Sequence, residues 1–196
     1  MSDLRQMTLL EEFAQLKEQF DMCISIFKLP SHSNGSMAKE CKLLSFYSYS
    51  VYAIMSSFIL EHPNANISNT FIPLAREFSE YVSRKCPSLN DSIAETDEEI
   101  GMSAYHLQTM FNNDNELGSL HALFAYTNNE YHRICLYSEI TCDETLIPDA
   151  RARFDFGISA CLHIIQTLMQ CGSESTKTYA RNILSKIISG YIYPGL

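Results

Sequence analysis

A predicted helix spanning about 116–141 carries five residues whose types and spacing suit metal binding or acid–base chemistry. They follow one another at intervals of 7, 4, 3 and 4 residues, and they are His121, Asn128, His132, Cys135 and Glu139. At about 100° per residue, all five fall within about 40° of one line along the helix. Histidine and glutamate are the residue types that most often exchange protons or hold metal ions, so His132 and Glu139 are the leading candidates.

A structural role for the same strip is the simpler interpretation. The strip flanks an apolar stripe of Leu117, Leu120, Phe124 and Tyr131, which places it at the boundary of the core. Its two histidines are separated by about 16 Å along the helix axis, too far for one metal ion to bind both. We therefore predict no metal site. A pocket that needs polar groups from another helix remains the alternative, lined by His121, Asn128, His132 and Glu139.

The remaining motifs of catalysis and cofactor binding are missing from the sequence. It contains no HxxxH, HExxH or Glu-x-x-His spacing for a metal, and no GxSxG for a nucleophilic serine. It also lacks GxGxxG and P-loop motifs. We therefore predict no cofactor, and favour a non-enzymatic protein.

Acidic residues are concentrated in the middle quarter of the chain. Between Lys85 and Arg133, 47 consecutive residues include no lysine or arginine. The whole chain carries 14 basic and 23 acidic residues, a net charge of −9, and without this window it would carry 14 against 15. The eight acids of the window are Asp91, Glu95, Asp97, Glu98, Glu99, Asp114, Glu116 and Glu130.

This concentration of charge favours binding to a basic protein. We expect an acidic surface over residues 91–116, formed by all the acids of the window except Glu130, because complementary fields speed association and select the partner. An inhibitor, immunity or adaptor protein would use such a surface. The bland alternative is a solvated face that keeps the protein soluble, and a homodimer is also possible. The same acidity disfavours direct binding to nucleic acid or to an anionic membrane.

The N-terminal sequence, the longest apolar stretch and the cysteines favour the cytosol. The N-terminal sequence lacks the charged and apolar regions of a signal peptide, and the apolar stretch 51–60 is about half the length of a membrane span. Seven cysteines are scattered without CxxC spacing, mostly in or beside apolar runs. Cysteines of this kind are usually reduced and buried.

Helical periodicity dominates the chain and predicts an all-α fold. Residues 1–196 contain no Gly-, Ser- or Pro-rich linker, so we predict a single domain of about seven helices, arranged as a bundle or an orthogonal array. The first helix fits a capping box at Thr8 or begins nearer Ser2, and Pro30 to Ser36 break it. The second helix is predicted from about Ser36 to Glu61.

Proline and capping residues predict where the later helices begin and end. Asn64–Asn69 is expected to form a loop, with Pro73 in the first turn of the third helix. Thr96 to Glu99 resembles a capping box that opens the fourth helix, and Ser88 to Glu95 before it are expected to form a loop or one short helix. The cluster 112–115 is predicted to separate the fourth helix from the fifth, Pro148 to open the sixth, and Gly172 to end it before a seventh at about 175–192.

Overall fold

The computed structural model describes residues 2–28 and 37–192, and their side chains over 5–28 and 37–190. The described residues form seven α-helices and no strand, which confirms the predicted all-α class. The helices are α1 (Ser2–Phe27), α2 (Met37–Glu61), α3 (Ile67–Lys85), α4 (Asn90–Asn113), α5 (Asn115–Thr141), α6 (Ile147–Cys171) and α7 (Glu174–Ile192). The predicted break at Pro30 to Ser36 lies outside the described residues.

The pairing of α2 with α5 forms the centre of the fold, and it is the most extensive contact between any two described helices. Lys42, near the start of α2, forms an ion pair with Glu139, near the end of α5. Midway along, the rings of Tyr49 and His132 stack with their centroids 5.2 Å apart. Lower-numbered residues of one helix therefore meet higher-numbered residues of the other, so α2 and α5 run antiparallel.

Two hydrophobic clusters lie around this central pair. The larger one is formed by α1, α2, α3 and α4, and its buried rings include Phe13, Phe20, Phe46 and Phe78. The smaller one joins α6 and α7 to Leu120 of α5. Because α5 contributes buried residues to both clusters, it connects the two parts of the core.

Several predicted helix ends are confirmed by their hydrogen bonds. The Asp114 carboxylate caps α5 by accepting a 3.1 Å hydrogen bond from the Leu117 amide. Pro148 lies in the first turn of α6. Amide groups in a first turn have no intrahelical acceptor, so a proline there costs the helix no hydrogen bond. At the other end of α6, the Gly172 amide donates to the Leu168 carbonyl.

Two other predicted helix starts are wrong. Helix α3 begins at Ile67, because the Asn66 side chain accepts a hydrogen bond from the Asn69 amide, and Pro73 therefore lies inside the helix. Helix α4 begins at Asn90, directly after a 3₁₀ turn (Pro87–Leu89). Thr96 is consequently interior, with its hydroxyl donating to the Ser92 carbonyl at 2.8 Å.

The cysteines are all free, but only some are buried as predicted. Cys23, Cys86 and Cys161 belong to the core. Cys135 is half-buried, whereas Cys41, Cys142 and Cys171 are exposed. The prediction failed for the exposed thiols because each lies on the outer face or at the end of its helix, and an apolar neighbour in sequence does not place a residue in the core.

Helix α2 is the one described helix that is long and apolar enough to cross a membrane, judged by length and composition. It has 25 residues, and its most apolar window has a mean hydropathy of 1.4. In this fold 56% of that window is buried against other helices. Its buried residues belong to the larger hydrophobic cluster or lie beside it.

The close approach of α6 to α5 at Gly157 gives a test of the packing. A Cβ atom added to Gly157 would lie 2.3 Å from Thr127 Oγ1 and 2.7 Å from its Cγ2. Thr127 is buried and β-branched, so its side chain has little freedom to move. We expect Gly157→Ala to lower the free energy of unfolding by about 1–3 kcal/mol in urea denaturation.

Gly101 provides the matched control in α4. A Cβ there meets no heavy atom within 4 Å, so Gly101→Ala should raise the free energy of unfolding by about 0.5–1 kcal/mol through helix propensity alone. Stabilisation by both substitutions would contradict the close α5–α6 contact.

Candidate functional site

The polar strip predicted on α5 lies along the seam with α2, and its residues have separate partners. Glu139 is exposed and paired with Lys42, as described above. His132 is also exposed, with one face of its ring covered by Tyr49. Asn128 is half-buried. The strip therefore does not converge on a single pocket.

His121 occupies a different environment, between α4, α5 and α7. Its Nδ1 shares a hydrogen bond with the Tyr179 hydroxyl. Burial, helped by the nearby charges of His106 and Lys186, lowers the pKa of His121 to about 4. The neutral ring lines a cavity of about 250 Å³ together with Ser56, whose Oγ has no hydrogen-bond partner in the described part of the chain.

The acids predicted to bind a partner divide into two groups. Five of them are exposed and form no ion pair with any described residue: Asp91, Glu95, Glu98, Glu99 and Glu116. Asp97 instead accepts a hydrogen bond from the buried Tyr47 hydroxyl. Asp114 caps α5 and also accepts from the Thr176 hydroxyl at 3.3 Å. Asp97 therefore connects α4 to α2, and Asp114 connects the start of α5 to α7.

Most of the exposed acids share one face of α4 with two exposed hydrophobic side chains. On an ideal helix they fall within an arc of about 120°. Met102 is 60% exposed and Tyr105 is 76% exposed. We call this set the acidic face of α4; it comprises Asp91, Glu95, Glu98, Glu99, Met102 and Tyr105.

A polar cavity between α1, α2 and α5 was not anticipated from the sequence. It has a volume of about 190 Å³, and we call it the Glu12 cleft. The polar side chains that line it include Glu12, Gln19, Ser50, Tyr126, Glu130 and Arg133. The Oγ atom of Ser50 is fully buried and finds no hydrogen-bond partner among the described residues.

The hydrogen bonds of Arg133 are directed at two neighbours in the Glu12 cleft. Its Nε and Nη2 donate to the two carboxylate oxygens of Glu130 at 2.9 and 2.8 Å. Its Nη1 donates to Gln19 Oε1 at 2.8 Å. The Glu130 carboxylate balances the charge of the guanidinium through this bidentate pair. Both side chains are largely shielded from water, which strengthens the interaction.

The Glu12 carboxyl is left without an ion pair within the described chain. Burial, together with the negative charges of Glu61 and Glu130, raises the pKa of Glu12 to about 7, against the opposing charge of Arg133. A carboxyl with this pKa exchanges its proton near neutral pH. It is therefore suited to gaining a cationic partner or to acting as an acid or base.

An apolar groove between α5 and α6 adjoins the Glu12 cleft. It has a volume of about 450 Å³, and Tyr126 and Glu130 line both spaces. Its apolar walls include Leu123, Ile134 and Phe156. The polar cleft and the apolar groove therefore have Tyr126 and Glu130 as a common wall.

No protein-family model, curated protein or solved structure matches this chain. Across residues 2–28 and 37–192, no group of three or more His, Cys, Asp or Glu side chains is placed to hold a metal ion.

The Glu12 cleft carried weak signals in the sequence. Glu12 and Gln19 are seven residues apart, so they share one side of α1 next to the core positions Phe13 and Phe20. Glu130 and Arg133 are spaced for an i,i+3 ion pair. Neither pattern indicates that α1 and α5 meet, so the cavity could be identified only from the tertiary structure.

The raised pKa of Glu12 predicts a change in stability with pH. The raised pKa contributes fully to the free energy of unfolding below the unfolded pKa of about 4.5. This contribution is lost as the pH rises through the folded pKa of about 7. We expect Glu12→Gln, which stays neutral, to be more stable than the wild type at about pH 8, by on the order of 1–2 kcal/mol after allowing for partial solvent access. The difference should be smaller at about pH 4.5.

Urea denaturation at the two pH values measures this effect. Glu18→Gln, at an exposed position of the same helix, is the matched control and should show no such dependence. A Glu12→Gln difference that is the same at both pH values would contradict the assignment.

Proposed function

We propose that this protein is a cytosolic, non-enzymatic interaction module of the inhibitor, immunity or adaptor type. It binds a basic protein partner through the acidic face of α4. The observation that carries the proposal is the placement of four exposed, unpaired carboxylates beside exposed Met102 and Tyr105 on one helix.

The composition of this face supports protein binding. Protein interfaces commonly have an apolar or aromatic centre surrounded by polar groups, and Tyr and Met are enriched there. The carboxylates provide a field that steers a basic partner and suppresses acidic competitors. Glu116, exposed at the start of α5, extends the negative charge beyond the end of α4.

The acidic face is held on a rigid support. The opposite side of α4 is anchored in the core by Ile93, Ile100 and Leu107. The Gln108 side chain donates to the Ala65 carbonyl at 2.6 Å, and Asp97 accepts from Tyr47. Since the helix is fixed before binding, little conformational entropy would be lost when a partner docks.

Reversal of two charges tests the electrostatic part of the proposal. We expect Glu98→Lys/Glu99→Lys to slow association with a basic partner by about tenfold at low salt, with a smaller effect on dissociation. The partner is first captured from a lysate of the native host on the immobilised wild-type protein and released by a salt gradient. Stopped-flow association is then measured with the purified pair.

The control variant for this experiment has the same change in net charge at another site. Glu11→Lys/Glu18→Lys alters two exposed positions of α1. When the two variants are compared at about 0.1 M ionic strength, it should retain most of the wild-type association rate, because screening there confines the effect of surface charges to about 10 Å. Equal slowing by both variants, or association that does not depend on salt, would contradict the proposed docking face. Light scattering distinguishes a hetero-complex from a homodimer.

The apolar part of the face is tested separately. We expect Tyr105→Ala to accelerate dissociation, with a loss of about 1–2 kcal/mol in affinity, and to leave the salt dependence unchanged. Tyr105 is exposed, so its removal should not alter the free energy of unfolding appreciably. Unchanged dissociation would place the contact surface away from α4.

A further inference from the structure

We propose that the Glu12 cleft and the adjoining groove together bind a small organic cation, an ammonium or amidinium group attached to an apolar tail. The cationic head occupies the cleft between α1, α2 and α5, and the tail lies in the groove between α5 and α6. This site is separate from the acidic face of α4, and it does not depend on the proposed protein partner.

The charges of the cleft favour a cation over an anion. Arg133 is already engaged by both carboxylate oxygens of Glu130 and by Gln19. When ionised, Glu12 adds a negative charge that has no ion pair in the described chain, and the charges of Glu61 and Glu130 act on it more strongly than the opposing charge of Arg133. A monovalent cationic head would balance Glu12 and relieve its repulsion with the other two carboxylates.

Ser50 provides an independent indication that a ligand belongs in the cleft. Its hydroxyl is completely buried on α2, lines the cavity and has no partner within the described residues. A buried hydroxyl left unsatisfied is costly, so such a group normally has a water or ligand partner. Ser50 Oγ and the Glu12 carboxylate would accept hydrogen bonds from the N–H groups of an ammonium or amidinium.

The groove determines the other end of the ligand. Its volume of about 450 Å³ lies in the range of small-molecule sites, and its walls are mainly apolar. Phe156 lines this groove and is 78% exposed, so its ring is open to contact with a tail. Because Tyr126 and Glu130 line both spaces, a short aliphatic linker can join a head in the cleft to an aromatic tail in the groove.

The binding test compares three probes that share one tail. Isothermal titration calorimetry at about pH 8 measures 4-phenylbutylamine, 4-phenylbutanol and 4-phenylbutyrate against the wild-type protein. We expect the amine to bind at least about tenfold more tightly than the alcohol, since hydrogen bonds to charged groups are the stronger ones. The carboxylate should bind more weakly than the alcohol, because it faces Glu12 and Glu130.

Two variants separate the head from the tail. Glu12→Gln should remove the preference for the amine over the alcohol, with Glu18→Gln as the control that keeps it. Phe156→Ala should weaken the amine and the alcohol by a similar factor and leave the preference intact. Both positions have access to solvent, and far-UV circular dichroism verifies that the variants remain folded.

The pH dependence provides a readout that a structural role alone would not produce. The alkylammonium stays charged over the neutral range, whereas Glu12 gains a proton as the pH falls below about 7. The charged and titratable groups facing Glu12 are Glu61 on α2 and Tyr126, Glu130 and Arg133 on α5. Affinity for the amine should therefore fall between about pH 8 and about pH 5.5 in the wild type, and change little in Glu12→Gln.

Three results would overturn the proposal. They are equal affinities for the amine and the alcohol, retention of the amine preference in Glu12→Gln, and no measurable binding of the amine at millimolar concentration.

Discussion

The antiparallel seam between α2 and α5 is the contact on which the rest of the structure depends. Helix α2 buries apolar residues on more than one side, so it needs neighbours around most of its circumference. Helix α5 covers one side along its length and contributes buried residues to both hydrophobic clusters. The positions of α1, α4 and α6 follow from their packing on this pair, and so do the cavities between them.

The seam also carries polar groups into the interior. Ser50 and Ser56 of α2 are both buried, and neither hydroxyl has a hydrogen-bond partner in the part of the chain that is described. Each lines a separate cavity, Ser50 in the Glu12 cleft and Ser56 beside His121. An unsatisfied hydroxyl costs about 1–3 kcal/mol, so two such groups beside cavities indicate sites that water or a ligand completes.

Negative charge plays different physical roles in the two proposed sites. On the acidic face of α4, the carboxylates are exposed and act through a long-range field that salt screens. In the Glu12 cleft, the carboxyl is partly removed from water and close to other acids, so its charge depends on pH near neutrality. In the proposed functions, the first arrangement would select a partner by the speed of encounter, and the second would select a ligand by complementary charge at short range.

The sequence by itself determined the helical class, most helix positions and the exposed acids of α4, because helical periodicity and capping depend on neighbours within a few residues. It misplaced the starts of α3 and α4, where Asn66 and the turn before Asn90 extend the helices. Only the tertiary structure decided that the polar strip of α5 has separate partners and that Glu12, Ser50 and Arg133 meet in one cleft. Those outcomes depend on how helices that are distant in sequence pack against one another. A pattern of neighbouring residues contains no information about which helices meet.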